Sequence, residues 1–156
     1  MRDAETIRTA LVAAETGHLV IATLHTTSAA QTVERIVMTV PPNERESASM
    51  QLANCLRGAV TQALLPTVDR KRRVLACEVM TANAAVKNNI REMNLPGLNF
   101  AIQSGAGDGM KHLDICLREL YHAGEITYET AMVYARDPKM IHGDDRKKGP
   151  ERHKPT

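Results

Sequence analysis

The chain has 156 residues, enough for one ordinary domain that buries roughly two-thirds of its unfolded surface. One Phe, three Tyr and no Trp imply an aliphatic core enriched in methionine, of which there are eight. A net charge of +2 is close to balance and gives no general electrostatic case for nucleic-acid or membrane binding. Cys55, Cys77 and Cys116 are widely spaced, with no C-x-x-C pair, so they read as free thiols rather than a disulfide or zinc framework. The charged start "MRDAETIRTA" lacks a signal-peptide core, and no apolar run approaches the roughly 18 residues that span a bilayer. The expectation is a cytoplasmic protein.

Asp3 is positioned to cap a helix running to Glu15, with Ile7, Leu11 and Ala14 on one face and Gly17 as its stop signal. The run "HLVIATLH" follows, and its continuous apolar, β-branched character predicts a strand over Leu19–Leu24 buried on both faces. Ser28 then caps a helix over 29–38, which Pro41 and Pro42 terminate. Asn43 and Glu46 have capping-box spacing and predict a helix reaching about Arg57. Val60–Leu65 and Val74–Met80, joined by the basic "PTVDRKRR", read as a hairpin. "TANAAVKNNIRE" predicts a helix from Asn83, and a short one over Leu98–Gln103 leads into "GAGDG". Two further helices follow, one carrying Leu113, Cys116, Leu117 and Leu120, the other capped by Thr127 and reaching about Arg136. From Asp137 onward the sequence is charged and poor in apolar residues, which predicts a disordered tail.

A parallel strand buried on both faces needs hydrogen-bonding neighbours. The only other strand candidates pair more easily with each other. Strand 19–24 therefore reads as one member of a sheet whose other strands precede Met1, and the chain as the back half of a larger domain.

Several residue clusters invite a chemical reading. On a strand, His18 and His25 stand roughly 23 Å apart and cannot share a metal ion. Ligands of open α/β sheets bind beyond the carboxyl ends of the strands, which puts His25, Thr26 and Thr27 at the functional edge and His18 at the opposite one. For each histidine the alternative is a hydrogen-bonded structural role, and a metal hydrolase using His18, His25 and His112 is the minor alternative. "SGAGDG" superficially resembles a phosphate cradle, but it lacks the glycine that a dinucleotide fingerprint needs at Met110. No G-x-x-x-x-G-K-[ST] occurs in the chain. The loop reads as a turn, "DRKRR" as a solvated basic turn, and "HAGEIT" as a weak helix-turn-helix.

The blocks "MRDAETIRTAL", "AAETGHLVIATLHTTSAAQTVERIV", "AVTQALLP", "AAVKNNIRE" and "GMKHLDICLREL" together resemble the PilT family, the type IV pilus retraction ATPases of the secretion-ATPase superfamily. "TGHLVIATLHT" is similar to the His box of these motors. "AVKNNIRE" resembles their helix signature AIRNLIRE, with departures at Val86, Lys87 and Asn89. Asn89 puts a polar group where that helix would bury an aliphatic one. The resemblance implies an α/β fold: a partial RecA-like (P-loop NTPase) sheet over 1–81 lacking its N-terminal strands, a small helical subdomain over 82–139, and a disordered charged tail over 140–156. It further implies the C-terminal half of a hexameric Mg-ATP-dependent motor, beginning at an internal methionine. Such a motor powers pilus retraction and twitching motility from the cytoplasmic face of the inner membrane, through the pilus platform.

By the same resemblance His25 lies near the ATP γ-phosphate, with Thr26 supplying a hydroxyl. His18, Arg2 and Arg8 would contact an adjacent subunit. Ala85, Val86, Lys87, Asn88, Asn89, Ile90, Arg91 and Glu92 form the retraction motif. With no Walker A loop and no Walker B glutamate, the isolated chain is expected to bind ATP weakly and not to hydrolyse it. The alternative function is a non-catalytic module that docks on a full-length pilus motor. No nucleic-acid partner, resident metal or membrane insertion is expected.

Overall fold

The computed structural model describes Met1 and residues 3–141, and the chain divides into two compact units. The first comprises Met1–Ala63 and Cys77–His112; the second comprises Leu64–Ala76 and the chain from Leu113 onward. Arg2 and residues 142–156 lie outside the described residues, and with them most of the predicted tail.

In the first unit, α1 (Ala4–Glu15) starts where Asp3 accepts a hydrogen bond from the Thr6 amide, and it buries Ile7 and Leu11. Helix α2 (Ala29–Thr39) is capped by Ser28, whose side chain accepts from Gln31 N, and it buries Ala29, Ala30, Val33, Ile36 and Val37. Helix α3 (Arg45–Cys55) begins later than the Asn43–Glu46 spacing predicts. A 3-10 turn over Pro42–Glu44 occupies the start instead, and α3 has no side-chain cap. Glu44 is drawn off by Arg8, which forks onto both carboxylate oxygens at 2.6 and 2.7 Å.

Strands β1 (Gly58–Pro66) and β2 (Arg73–Thr81) pair as the predicted hairpin, a two-stranded sheet. The inward face of β2 carries Ala76, Glu78 and Met80 at alternate positions, all fully buried. Asn83 caps α4 (Ala84–Arg91), whose Val86 and Ile90 enter the core. Asn94 caps α5 (Leu95–Ser104), which is longer than predicted at its start because Pro96 fits the first helical turn. These two helices share one core with α1, α2 and α3 through Val86, Ile90, Leu98 and Ile102. The core is aliphatic with methionine, as composition implies.

The second unit contains the hairpin tip with α6 (Leu113–His122), α7 (Tyr128–Tyr134) and α8 (Pro138–Ile141). Leu65, Ala76, Leu117, Ala131 and Ile141 are fully buried there. Asp114 is buried as well, and its two oxygens accept the backbone amides of Arg136 and Asp137 at 2.9 Å each. The expected disorder from Asp137 is thus corrected as far as Ile141. The carboxylate pins the chain after α7, and a short helix then inserts an isoleucine into the core.

The largest correction concerns the run 19–24. It forms no strand, and the only sheet among the described residues is the hairpin. Leu19 and Ile21 are 83% and 87% exposed. A strand is defined by its ladder, and no neighbouring strand lies beside this run to form one.

Candidate functional site

The segment between α1 and α2 is anchored at both ends. Gly17 turns the chain with φ +95°, a conformation that favours glycine, and His18 N then donates to Ala13 O at 3.0 Å. The exposed His18 ring lies back on the end of α1, with Nδ1 3.2 Å from both Thr16 Oγ1 and Ala13 O.

At the other end the chain is stapled to the first turns of α2. Arg35 donates to the His25 carbonyl at 3.4 Å, and the Thr26 and Thr32 hydroxyls meet at 2.7 Å. Thr27 donates to Gln31 Oε1 from both its amide and its hydroxyl, at 2.8 and 3.1 Å. Next, Ala29 N donates to Glu78 Oε1 of β2 at 2.7 Å. The residues that hold the His25 loop are therefore Gln31, Thr32, Arg35 and Glu78, none of which sequence reasoning singled out. A signal existed for Glu78: in an alternating strand it occupies the core register, where a carboxylate is costly unless it is bonded.

This segment borders a cavity of about 1440 Å³ within the first unit. Its lining runs from Gly17 to Thr27 on one side and from Leu56 to Gln62, where β1 begins, on the other; α1 contributes Ile7 and Leu11. Leu24 and Thr26 are half-buried, whereas His25 between them is exposed. The Thr61 hydroxyl is buried and has no hydrogen-bond partner among the described residues. His18, His25 and Thr26 all line this cavity.

The other predicted residues lie elsewhere. Arg8 is occupied by Glu44, and Arg2 is outside the described residues. In the segment 85–92, expected to carry the retraction motif, Val86 and Ile90 are core, while Ala85, Asn88, Arg91 and Glu92 are exposed. Asn88 donates to Glu92 at 2.9 Å and Arg91 to Asn54 at 3.3 Å. Asn89 does not bury an unmet polar group. It is half-buried, and its Nδ2 donates to Ala85 O at 2.9 Å. Lys87 is half-buried too.

The "GAGDG" loop is a structural turn. The amides of Asp108, Gly109 and Met110 are spent on Gly105 and Ala106 carbonyls. The Asp108 carboxylate accepts from Asn83 Nδ2 at 2.6 Å and its carbonyl from Thr81 Oγ1 at 3.2 Å, latching the loop to the β2–α4 junction. In the basic turn, Arg72 pairs with Glu125 at 2.8 Å. Asp69 accepts from the Thr67 hydroxyl and the Lys71 amide, which hold its carboxyl below the usual aspartate range.

No group of three His, Cys, Asp or Glu side chains among the described residues converges to hold a metal ion. Burial pushes the Cys55 thiol upward in pKa, away from a reactive thiolate, and no disulfide joins Cys55, Cys77 and Cys116. No helix among the described residues is long and apolar enough to cross a membrane.

With this geometry in place, comparison with known proteins is informative. Residues 1–145 match the family model described as type II/IV secretion system protein. The chain is 47% identical over 141 residues to a twitching motility protein of Neisseria gonorrhoeae, covering 90% of this chain and 38% of that protein. It is 44% identical over 139 residues to the type IV pilus retraction ATPase PilT of Pseudomonas aeruginosa, covering 89% of this chain and 40% of that one. Its fold is similar to the crystal structure of the pilus retraction motor PilT with bound ADP, at a TM-score of 0.78 and 43% identity over 91% of this chain and 39% of that one. It thus spans about two-fifths of the length of these relatives. Membership rests on a match running through the His25 segment, the hairpin and α4 alike: the chain belongs to the type II/IV secretion system protein family.

Proposed function

We propose that this chain forms one side of the ATPase core of a pilus retraction motor, a Mg-ATP-driven hexamer that powers twitching motility. It would act from the cytoplasmic face of the inner membrane, through the pilus platform. The observation that carries this reading is the cavity between residues 17–27 and β1. An extended segment laid there from the rest of the motor would give the Thr61 hydroxyl a partner and cover Leu19. The product is a continuous RecA-like sheet buried on both faces.

The residues present fit a nucleotide site in part. His25 and Thr26 offer polar groups at the cavity rim, where an open α/β sheet binds its ligand. No glycine-rich amide cradle or P-loop lysine accompanies them, so tight phosphate binding must come from the rest of the motor. When bound, ATP supplies the transferable phosphoryl group. The part of this chain is to hold a donor, the His25 ring, at that site. His18 and Arg8, with Arg2, are assigned to the subunit interface. The exposed residues of α4, Asn88, Arg91 and Glu92, are assigned to retraction rather than hydrolysis.

The exposed Leu19 and Ile21 also support a second reading, a non-catalytic module docking on an intact motor. Co-expression separates the two. The chain is produced with the part of the Pseudomonas aeruginosa relative outside the matched region, and Mg-ATP hydrolysis is measured. Turnover by the recombined motor and none by the chain alone is expected. Binding only to an intact retraction motor, without turnover in the recombined one, favours docking. Micromolar Mg-ATP affinity of the chain alone overturns the shared-site reading.

A further inference from the structure

We infer that Glu78 is a positioning residue that sets the place of His25 by anchoring the N-terminus of α2. In its functional consequence the inference rests on the reading of His25 given above. The His25–Ser28 loop has little freedom of its own. Gln31, Thr32 and Arg35 bind the Thr27 amide, the Thr26 hydroxyl and the His25 carbonyl, so the loop travels with the first turns of α2. What fixes those turns is a side chain 49 residues away in sequence.

The first helical amide, Ala29 N, lies on a residue with no solvent exposure, where water cannot satisfy it. Ser28 is spent on Gln31 N. Glu78, itself fully buried, accepts from Ala29 N at 2.7 Å and so satisfies that amide. The same strand is bridged at Val79 to Lys111, and its end is tied through Thr81 and Asn83 to Asp108. Glu78 thus joins the His25 loop to the strand that leads directly into α4.

The test has two readouts. In the full 156-residue chain, hydrogen exchange is followed at the amides of Thr27, Ala29, Gln31 and Thr32 for Glu78→Ala and for Leu98→Ala, a core control in α5. Glu78→Ala is expected to speed exchange at these amides by roughly ten- to a hundredfold relative to α3, because the buried Ala29 amide loses its acceptor. Leu98→Ala is expected to raise exchange without that local excess.

If Glu78→Ala does not fold, Glu78→Gln replaces it. That variant keeps an acceptor oxygen but replaces the carboxyl by an amide, with an expected local rise of about threefold. Equal profiles for the Glu78 variant and the control, or no local rise, overturn the inference. In the recombined motor the same Glu78 variant should lower kcat with the KM for Mg-ATP unchanged; a changed KM with unchanged kcat also overturns it. If His25→Ala in that preparation leaves turnover intact, the reading of His25 fails instead, while the exchange result on the chain still decides the anchor.

Discussion

Asn89 of α4 reaches over the backbone of Gly97 in α5, so that a methyl group at residue 97 would overlap the Asn89 side-chain oxygen and the Asn94 amide nitrogen. The polar Asn89 on α4 and the glycine eight residues later are therefore two halves of one contact.

This contact gives the first prediction. Replacing a helical glycine by alanine ordinarily stabilises by about 1 kcal/mol. Here overlap opposes that gain, and overpacking of this kind costs about 1–3 kcal/mol. Gly97→Ala should therefore lower the urea midpoint of the chain. In an Asn89→Ala background the same change should cost less, because one of the two obstructions is gone, with a coupling of about 0.5–2 kcal/mol. An unchanged or higher midpoint for Gly97→Ala alone would show that the contact relaxes freely.

A second prediction concerns pH and α1. The Thr6 backbone amide, and then the Thr6 hydroxyl, hold the Asp3 carboxyl below its ordinary value of 3.8. A group depressed in the folded state contributes stability that is present above its unfolded pKa and is lost as pH falls through the folded one. The wild-type chain should thus be more stable than Asp3→Ala near neutral pH, and the two should converge once pH is well below 3.8. Thermal melts of both across this range check the sign. A gap that persists at the acid end would mean that ionisation of Asp3 is not what the cap contributes.

The exposed run 19–24 makes a third. Leu19 and Ile21 present apolar surface on a length of chain with no ladder, and Val60 and Leu64 are exposed on β1. Such surfaces associate. The chain should self-associate in sedimentation velocity, and the double change Leu19→Ser, Ile21→Ser should shift it toward monomer. A wild-type chain that sediments as a monodisperse monomer would show that the exposed run is not sticky.

How much of this was legible in the sequence depended on whether the physics was local. The caps Asp3, Ser28 and Thr127 all function as predicted, because a cap needs only a side chain and an amide three residues on. The hairpin followed from two apolar runs across a polar turn. The Asn43 cap failed because a 3-10 turn over Pro42–Glu44 takes up the expected helix start. The run 19–24 failed as a strand, since a strand is made by its neighbours. Of the site, His25 and Thr26 were visible as residues beyond an apolar run. Glu78 was hidden because its role depends on a helix that ends 34 positions before β2 begins (Thr39 and Arg73).

The final prediction separates the two histidines that line the cavity. His25 is exposed at the rim, on a loop held by α2 and Glu78, whereas the His18 ring lies back on the end of α1. In the recombined motor, His25→Ala removes a donor that matters most as charge develops on the phosphate. Loss of one such preorganised donor typically costs about 2.7–4 kcal/mol, or roughly 100- to 1000-fold in turnover. Nucleotide affinity should change far less, because the phosphate-cradling loop dominates it. His18→Ala should instead lower stability or hexamer assembly and leave the chemical step of assembled motors near wild type. Turnover, nucleotide affinity and assembly are measured side by side for both variants. Full turnover by His25→Ala would remove it from the phosphate site; a large loss of turnover by fully assembled His18→Ala motors would move the catalytic role to the other end of the segment.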